Sequence, residues 1–83
     1  MAWYKYEKYL KKKSLESFDE EHKPSVETPR HGIYRCMGCG REIVSEQGKP
    51  LPPQNHHQHT EDQRKIRWKL IVRATHNQEP PNE

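Results

Sequence analysis

The sequence predicts a small, mainly β domain that a metal ion stabilises, with about three short antiparallel strands, a short N-terminal helix and flexible termini. The chain has 83 residues, of which 29% are hydrophobic and 33% are charged, so few side chains are available for a core. Domains of this size usually need a disulfide or a metal as well. Its two cysteines are too close in sequence to close a stabilising loop. Histidines cluster after them, which favours a metal.

The first residues, MAWYKYEKYLKKK, predict a short amphipathic helix over residues 2–13. The spacing that indicates it is shared by Ala2, Tyr6, Tyr9 and Leu10. An isolated helix of this length is marginally stable in water, so it would need a surface to lie against. The sequence leaves open whether part of this helix packs on the rest of the domain.

Residues 14–31 lose this periodicity and contain two prolines, which predicts a flexible linker. The chain is therefore divided into an N-terminal segment (1–30), a folded domain (31–74) and a disordered tail (75–83). The tail prediction rests on the polar, proline-bearing sequence THNQEPPNE.

Three short strands are predicted within the folded domain. GIYRC and REIVS flank the cysteine pair, EQGKP reads as a turn centred on glycine, and KPLPPQ should be extended. KIRWKLIVRA is the clearest strand because its side chains alternate. The predicted apolar face holds Ile66, Trp68, Leu70 and Val72. The opposite, mostly basic face holds Arg67, Lys69, Ile71 and Arg73.

The candidate metal ligands follow the pattern Cys36-x2-Cys39-x16-His56-x2-His59. Structural zinc sites commonly take four N and S ligands as two close-spaced pairs. Two thiolates and two neutral imidazoles also balance the charge of one Zn²⁺ per chain. His57 is an alternative to His56, because His57 and His59 would point the same way on an extended strand.

These residues resemble a zinc ribbon, in particular the small bacterial zinc-ribbon proteins, over roughly residues 32–73. The residues in matching places are Tyr34, Cys36, Cys39, Gly40, Gly48, Leu51, Pro52 and Pro53, with His56 and His59 in place of a second cysteine pair. The resemblance implies a structural zinc in a rubredoxin-like ribbon. It implies no particular function, since one fold serves many roles.

The sequence favours a non-enzymatic interaction module that binds another protein. Trp3, Tyr6 and Tyr9 are residue types that anchor protein interfaces. The alternative is nucleic-acid binding through Arg67, Lys69 and Arg73 on the basic face of the last strand. The net charge of +3 is too small to decide between these partners.

Catalysis is not expected. The sequence has no HExxH motif and no H-x-E ahead of the cysteine pair, and a chain this short has little room for a substrate cavity. The absence of a signal peptide or membrane-spanning run, together with the close-spaced cysteine pair, predicts a protein of the reducing cytoplasm.

Overall fold

The computed structural model describes residues 1–53, 58–60 and 64–75. These residues form one antiparallel sheet with the strand order β1-β4-β2-β3. Its strands are β1 (Glu21–His22), β2 (Gly32–Cys36), β3 (Glu42–Ser45) and β4 (Trp68–Arg73). Two 3₁₀ turns, Glu7–Tyr9 and Glu16–Phe18, precede the sheet. The prediction of a small, mainly β domain is confirmed, and β1 is an additional strand.

Strand β2 is one of the two interior strands of the sheet and pairs with both β3 and β4. Its alternating sequence buries Gly32, Tyr34 and Cys36 on one face. The hairpin to β3 runs in register from Gly32 opposite Ser45 to Arg35 opposite Glu42. The last residue of β2, Cys36, lies opposite Trp68 at the start of β4. The hydrophobic alternation of these two strands therefore places Cys36 beside a large core side chain.

A β-bulge interrupts the pairing of β2 with β4. Tyr34 lies opposite Leu70, whereas the preceding residue of β2, Ile33, lies opposite Val72. Ile71 is thus the additional residue on β4, and the inside–outside alternation of that strand changes phase there.

The predicted faces of β4 are consequently wrong beyond Leu70. Val72 shares the face that is opposite to the core, and Arg73 lies opposite Gly32 on the core side. Arg73 is therefore not on the same face as Arg67 and Lys69. The close approach at the bulge requires a glycine, since a Cβ at Gly32 would collide with the carbonyl oxygen of Val72.

The core lies on the face of the sheet that carries Tyr34. Its buried hydrophobic residues are Tyr34, Cys36, Leu51, Ile66, Trp68 and Leu70, with Phe18 and Ile43 packed against them. The Tyr34 hydroxyl donates a hydrogen bond to the carbonyl oxygen of Arg30 at 2.6 Å, which satisfies its polar group inside the core. Burial raises the pKa of Tyr34 above its ordinary value.

The predicted helix over residues 2–13 is wrong. Its only regular element is the 3₁₀ turn at Glu7–Tyr9. The three large side chains of the predicted apolar stripe are exposed, namely Tyr6, Tyr9 and Leu10, and Tyr9 retains 75% of its accessible surface. Without a surface to pack on, so short a helix gains too little to offset its nucleation cost. No helix among the described residues is long and apolar enough to span a membrane.

The segment predicted to be a flexible linker is instead paired with the chain that follows β3. The Thr28 N–H donates to the Lys49 carbonyl at 2.8 Å, and the Gly48 N–H donates to the Thr28 carbonyl at 2.9 Å. Two residues earlier, the Val26 carbonyl accepts a bond from the Leu51 N–H. Prolines lie in or beside both paired segments, so the sequence has no hydrophobic periodicity there that would predict the pairing. The predicted tail, apart from Thr75, lies outside the described residues.

We expect the buried Thr28–Ser45 pair to stabilise the domain measurably. Their hydroxyl oxygens are 2.6 Å apart, and Thr28 is fully buried. Thr28→Val strands the Ser45 hydroxyl and should cost about 1–3 kcal/mol in the free energy of unfolding. Ser45→Ala should cost a similar amount, and the double substitution should cost less than the sum. Urea unfolding of each variant and of the wild-type protein measures these values.

The matched control is Val44→Thr, which keeps a β-branched residue next to Ser45 at an 80% exposed position. It should change the unfolding free energy by less than about 0.5 kcal/mol. An equally small effect of Thr28→Val would contradict the packed position of residues 25–28.

Candidate metal centre

The first two candidate ligands lie at the end of β2 and in the turn that follows it. Cys36 is fully buried, whereas Cys39 is exposed at the tip of the turn. The Gly40 N–H closes the turn by donating to the Cys36 carbonyl at 2.8 Å. Gly40 has φ +83°, a left-handed conformation that glycine adopts without strain. The glycine after the second cysteine thus allows the chain to fold back into β3.

The third candidate ligand, His59, converges on these cysteines from the segment that precedes β4. Ligand atoms of Cys36, Cys39 and His59 all lie within 4.8 Å of one another. The Cys36 Sγ is 3.4 Å from the His59 Nε2. Two such ligands on a tetrahedral zinc, at about 2.3 and 2.1 Å from the metal, would be about 3.6 Å apart. The three side chains are therefore close enough to hold a metal ion.

The orientation of the His59 ring is set by a hydrogen bond on its far side. Its Nδ1 lies 2.7 Å from the carbonyl oxygen of Arg64. A carbonyl oxygen only accepts, so Nδ1 carries the proton, and in the neutral imidazole the lone pair is then on Nε2, the atom nearer to the Cys36 sulfur. Metal-ligating histidines commonly have such a partner for the second ring nitrogen.

Arg64 adopts an unusual backbone conformation at this point. Its φ is +62°, in the left-handed region that costs a non-glycine residue about 1–2 kcal/mol. Arg64 is also the residue whose carbonyl oxygen accepts the hydrogen bond from His59. The strained backbone of Arg64 thus lies at the point that orients the candidate ligand His59.

The surroundings of the Cys36 sulfur favour its thiolate form. Burial raises the pKa of this thiol, but hydrogen bonds from the backbone N–H groups of Arg67, Cys39 and Gly38, and one with the Cys39 side chain, outweigh burial. The net result is a pKa below the ordinary value. A thiolate is the form that binds metal ions.

Of the other predicted ligands, His56 and His57 lie outside the described residues. The choice between them therefore stays a prediction. Another histidine, His31, precedes β2 at the opposite end of that strand from Cys36, and its Nδ1 accepts a hydrogen bond from the Gln47 N–H at 3.0 Å. It is not part of the ligand group.

Sequence reasoning missed two residues at this centre, Arg64 and Arg67. Both act through backbone atoms, the carbonyl of Arg64 towards His59 and the N–H of Arg67 towards the Cys36 sulfur. Backbone groups are present at every residue, so no sequence pattern distinguishes these two. Only the fold of the segment entering β4 brings them to the ligands.

The basic residues predicted as a nucleic-acid surface are interleaved with acidic ones. Arg67 lies 3.9 Å from the Glu21 carboxylate, and Lys69 is paired in register with Glu21 across β1 and β4. On the neighbouring strand Arg35 forms an ion pair with Glu42 at 2.9 Å. The face of the sheet opposite to the core therefore carries both signs of charge.

An open groove of about 530 Å³ lies beside β3. It is lined by Ile43, Val44, Ser45, Glu46, Lys49, Pro50 and Pro52. None of the three converging ligand residues contributes to its walls. The groove and the ligand group are separate features of the surface.

Comparison with known proteins gives one informative similarity. The chain is 53% identical over 53 residues to a protein of Escherichia coli named Protein L, which places a related sequence in a bacterium. The aligned part is 64% of this chain and 60% of the relative, so the chain spans less than two thirds of that protein. No family model and no solved structure matches.

We expect the Arg64 backbone, rather than its side chain, to matter for the centre. Arg64→Gly removes the cost of the left-handed conformation and should raise the free energy of unfolding by about 1 kcal/mol. Arg64→Ile disfavours this conformation further and should lower both stability and metal affinity. Unfolding curves and competition with a chelator measure the two effects. Equal behaviour of the two variants would contradict the role of this conformation.

Proposed function

We propose that this protein binds one structural zinc ion through Cys36, Cys39, His59 and His56, and that the zinc holds a small non-catalytic interaction module. The observation that carries the proposal is the convergence of Cys36, Cys39 and His59 with the His59 ring already oriented by the Arg64 carbonyl. Three ligand atoms this close, from two separate segments, are typical of a metal centre.

The donor set favours zinc over the other common ions. Thiolate sulfur is a soft ligand that suits zinc, whereas Mg²⁺ and Ca²⁺ prefer carboxylate and carbonyl oxygen. Two thiolates and two neutral imidazoles give a Zn²⁺ site with no net charge, which lowers the desolvation cost on the side of the buried Cys36. The resemblance to zinc-ribbon proteins agrees with this choice.

The position of the centre favours a structural role. Cys36 is a member of the core, opposite Trp68, and His59 precedes the strand that Trp68 begins. A metal bound to both would fasten the turn after β2 to the entry of β4. The core contains few large side chains, so this link would supply much of the stability of the domain.

His56 is proposed as the fourth ligand because its spacing from His59 repeats the spacing of the cysteines. Two ligands separated by two residues can both face one metal across a tight turn. His57 is the alternative, and the two are distinguished below by substitution.

As an interaction module, the domain would act in the reducing cytoplasm, where thiolates stay available to metal. The sequence favours another protein as the partner, contacted by Trp3, Tyr6 and Tyr9, and the exposure of these rings is compatible with that prediction. The alternative nucleic-acid surface on β4 is weakened, because Arg73 lies on the other face and Glu21 accompanies Arg67 and Lys69.

Native mass spectrometry of the untagged protein tests the ligand set. We expect one zinc per chain, lost after treatment with a strong chelator. Zinc retention should fall with each substitution that removes a proposed ligand, namely Cys36→Ser, His59→Ala and His56→Ala. His57→Ala and His31→Ala are matched histidine controls that should keep the ion.

Loss of zinc with His57→Ala and retention with His56→Ala would transfer the fourth position to His57. Wild-type protein that retains no zinc, when purified without chelator and refilled with zinc under reducing conditions, would contradict the proposal.

Removal of the metal should unfold the domain. Structural zinc contributes an apparent ~10–16 kcal/mol near neutral pH, which exceeds the stability of most domains this small. Chelation should therefore abolish the near-ultraviolet circular dichroism of Trp68 and collapse the amide dispersion in NMR spectra, and added zinc should restore both. A protein that stays folded after the metal is removed would contradict this prediction, because the hydrophobic core alone would then stabilise the fold.

A further inference from the structure

Residues 3–13 form an exposed segment rich in aromatic and basic side chains, which we term the aromatic–lysine segment. Its four rings are exposed, with Trp3 at 93% and the most covered, Tyr6, at 51%. They are more than half of the aromatic residues of the chain. A stretch of surface with this many exposed rings is unusual and indicates a binding site.

The rings of this segment lie close to ammonium groups. The 3₁₀ turn places Tyr6 and Tyr9 edge to face, with ring centroids 5.8 Å apart. The Lys8 Nζ lies 5.6 Å from the Tyr6 centroid and 5.2 Å from the Tyr9 centroid. The Lys5 Nζ lies 5.2 Å from the Tyr6 centroid. A group stacked on either ring would therefore have a positive charge beside it.

The charge of the segment selects an anionic partner. It contains five lysines against one glutamate, whereas the whole chain carries a net charge of only +3. Positive charge is thus concentrated here and offset elsewhere. A partner that complements the segment must offer both negative charge and flat surfaces for the rings.

Among anionic partners, a single-stranded nucleic acid fits both features. Its phosphates meet the lysines and its unpaired bases stack on the rings. A protein partner explains the rings but not the lysines, which are depleted in protein interface cores. An anionic membrane surface explains the lysines, but the segment has Leu10 as its single large aliphatic residue and no amphipathic helix.

We propose that the aromatic–lysine segment binds single-stranded nucleic acid, with Trp3, Tyr6 and Tyr9 stacking on bases and the lysines contacting phosphates. This inference rests on the proposed function, in which the zinc-held domain is an interaction module, and it names the partner class. It replaces the protein partner favoured by the sequence.

Fluorescence anisotropy of a labelled oligothymidine of about 15 nucleotides, titrated with the zinc-loaded full chain, tests this proposal. Trp3→Ala should weaken binding by about five- to 150-fold, the range for loss of one stacked ring. Trp3→Phe keeps a stacking face and should retain most of the affinity. If about four lysines meet phosphates, raising the salt from about 50 to 200 mM should weaken binding about fiftyfold.

Three results would overturn the proposal. The first is no binding to the oligonucleotide at the lower salt concentration, which would return the protein partner to first place. The second is equal binding by Trp3→Ala and wild type, because the rings would then play no part. The third is stronger binding to vesicles containing anionic lipid than to the oligonucleotide, with the same dependence on Trp3.

Zinc content and folding are measured on the same samples. Because Trp3 is exposed and outside the ligand group, Trp3→Ala should keep one zinc and the unfolding midpoint of wild type. Failure of oligonucleotide binding by a zinc-loaded, folded protein overturns this inference alone. Failure to retain zinc overturns the proposed function instead.

Discussion

The structure depends on the position of Cys36, which belongs to the hydrophobic core and to the ligand group at the same time. Its side chain is fully buried opposite Trp68, yet its sulfur lies 3.4 Å from the His59 imidazole. The core and the ligand group therefore share Cys36, so a movement of one would displace the other. Because the core has few side chains, an ion held by these ligands would reinforce contacts that hydrophobic burial alone makes only weakly.

The entry to β4 completes this arrangement through its backbone. The Arg64 carbonyl accepts from His59, and the Arg67 N–H bonds the Cys36 sulfur. The Arg67 carbonyl accepts the Met37 N–H at 2.8 Å, which fixes the turn between the cysteines. One short stretch thus contacts both sides of the ligand group. A change in the backbone there would disturb ligands that lie far apart in the sequence.

The sequence predicts those parts of the fold in which a period persists over several residues. Strand β4 is predicted by its alternation, β2 and β3 by short apolar runs between turn signals, and the cysteine pair and His59 by their spacing. The bulge at Ile71 was not found, because Ile71 and Val72 are both apolar and hide the change of phase. Strand β1 has two residues, too few for a period. The prediction of the N-terminal helix is wrong for the opposite reason. The helical spacing is present, but the apolar side chains have no surface to pack against.

The exposed aromatic rings of residues 3–13 are unexpected, because burying them would stabilise the domain. Burying a large side chain contributes about 1.5–3 kcal/mol, and this domain has few such side chains to bury. Packing Trp3 and its neighbouring tyrosines on the sheet would relieve that shortage, yet they stay exposed while Phe18 packs on the core. Stability alone does not account for this arrangement. It is understandable if the rings gain their burial from a partner, so that the sheet supplies the stability and residues 3–13 supply the contacts.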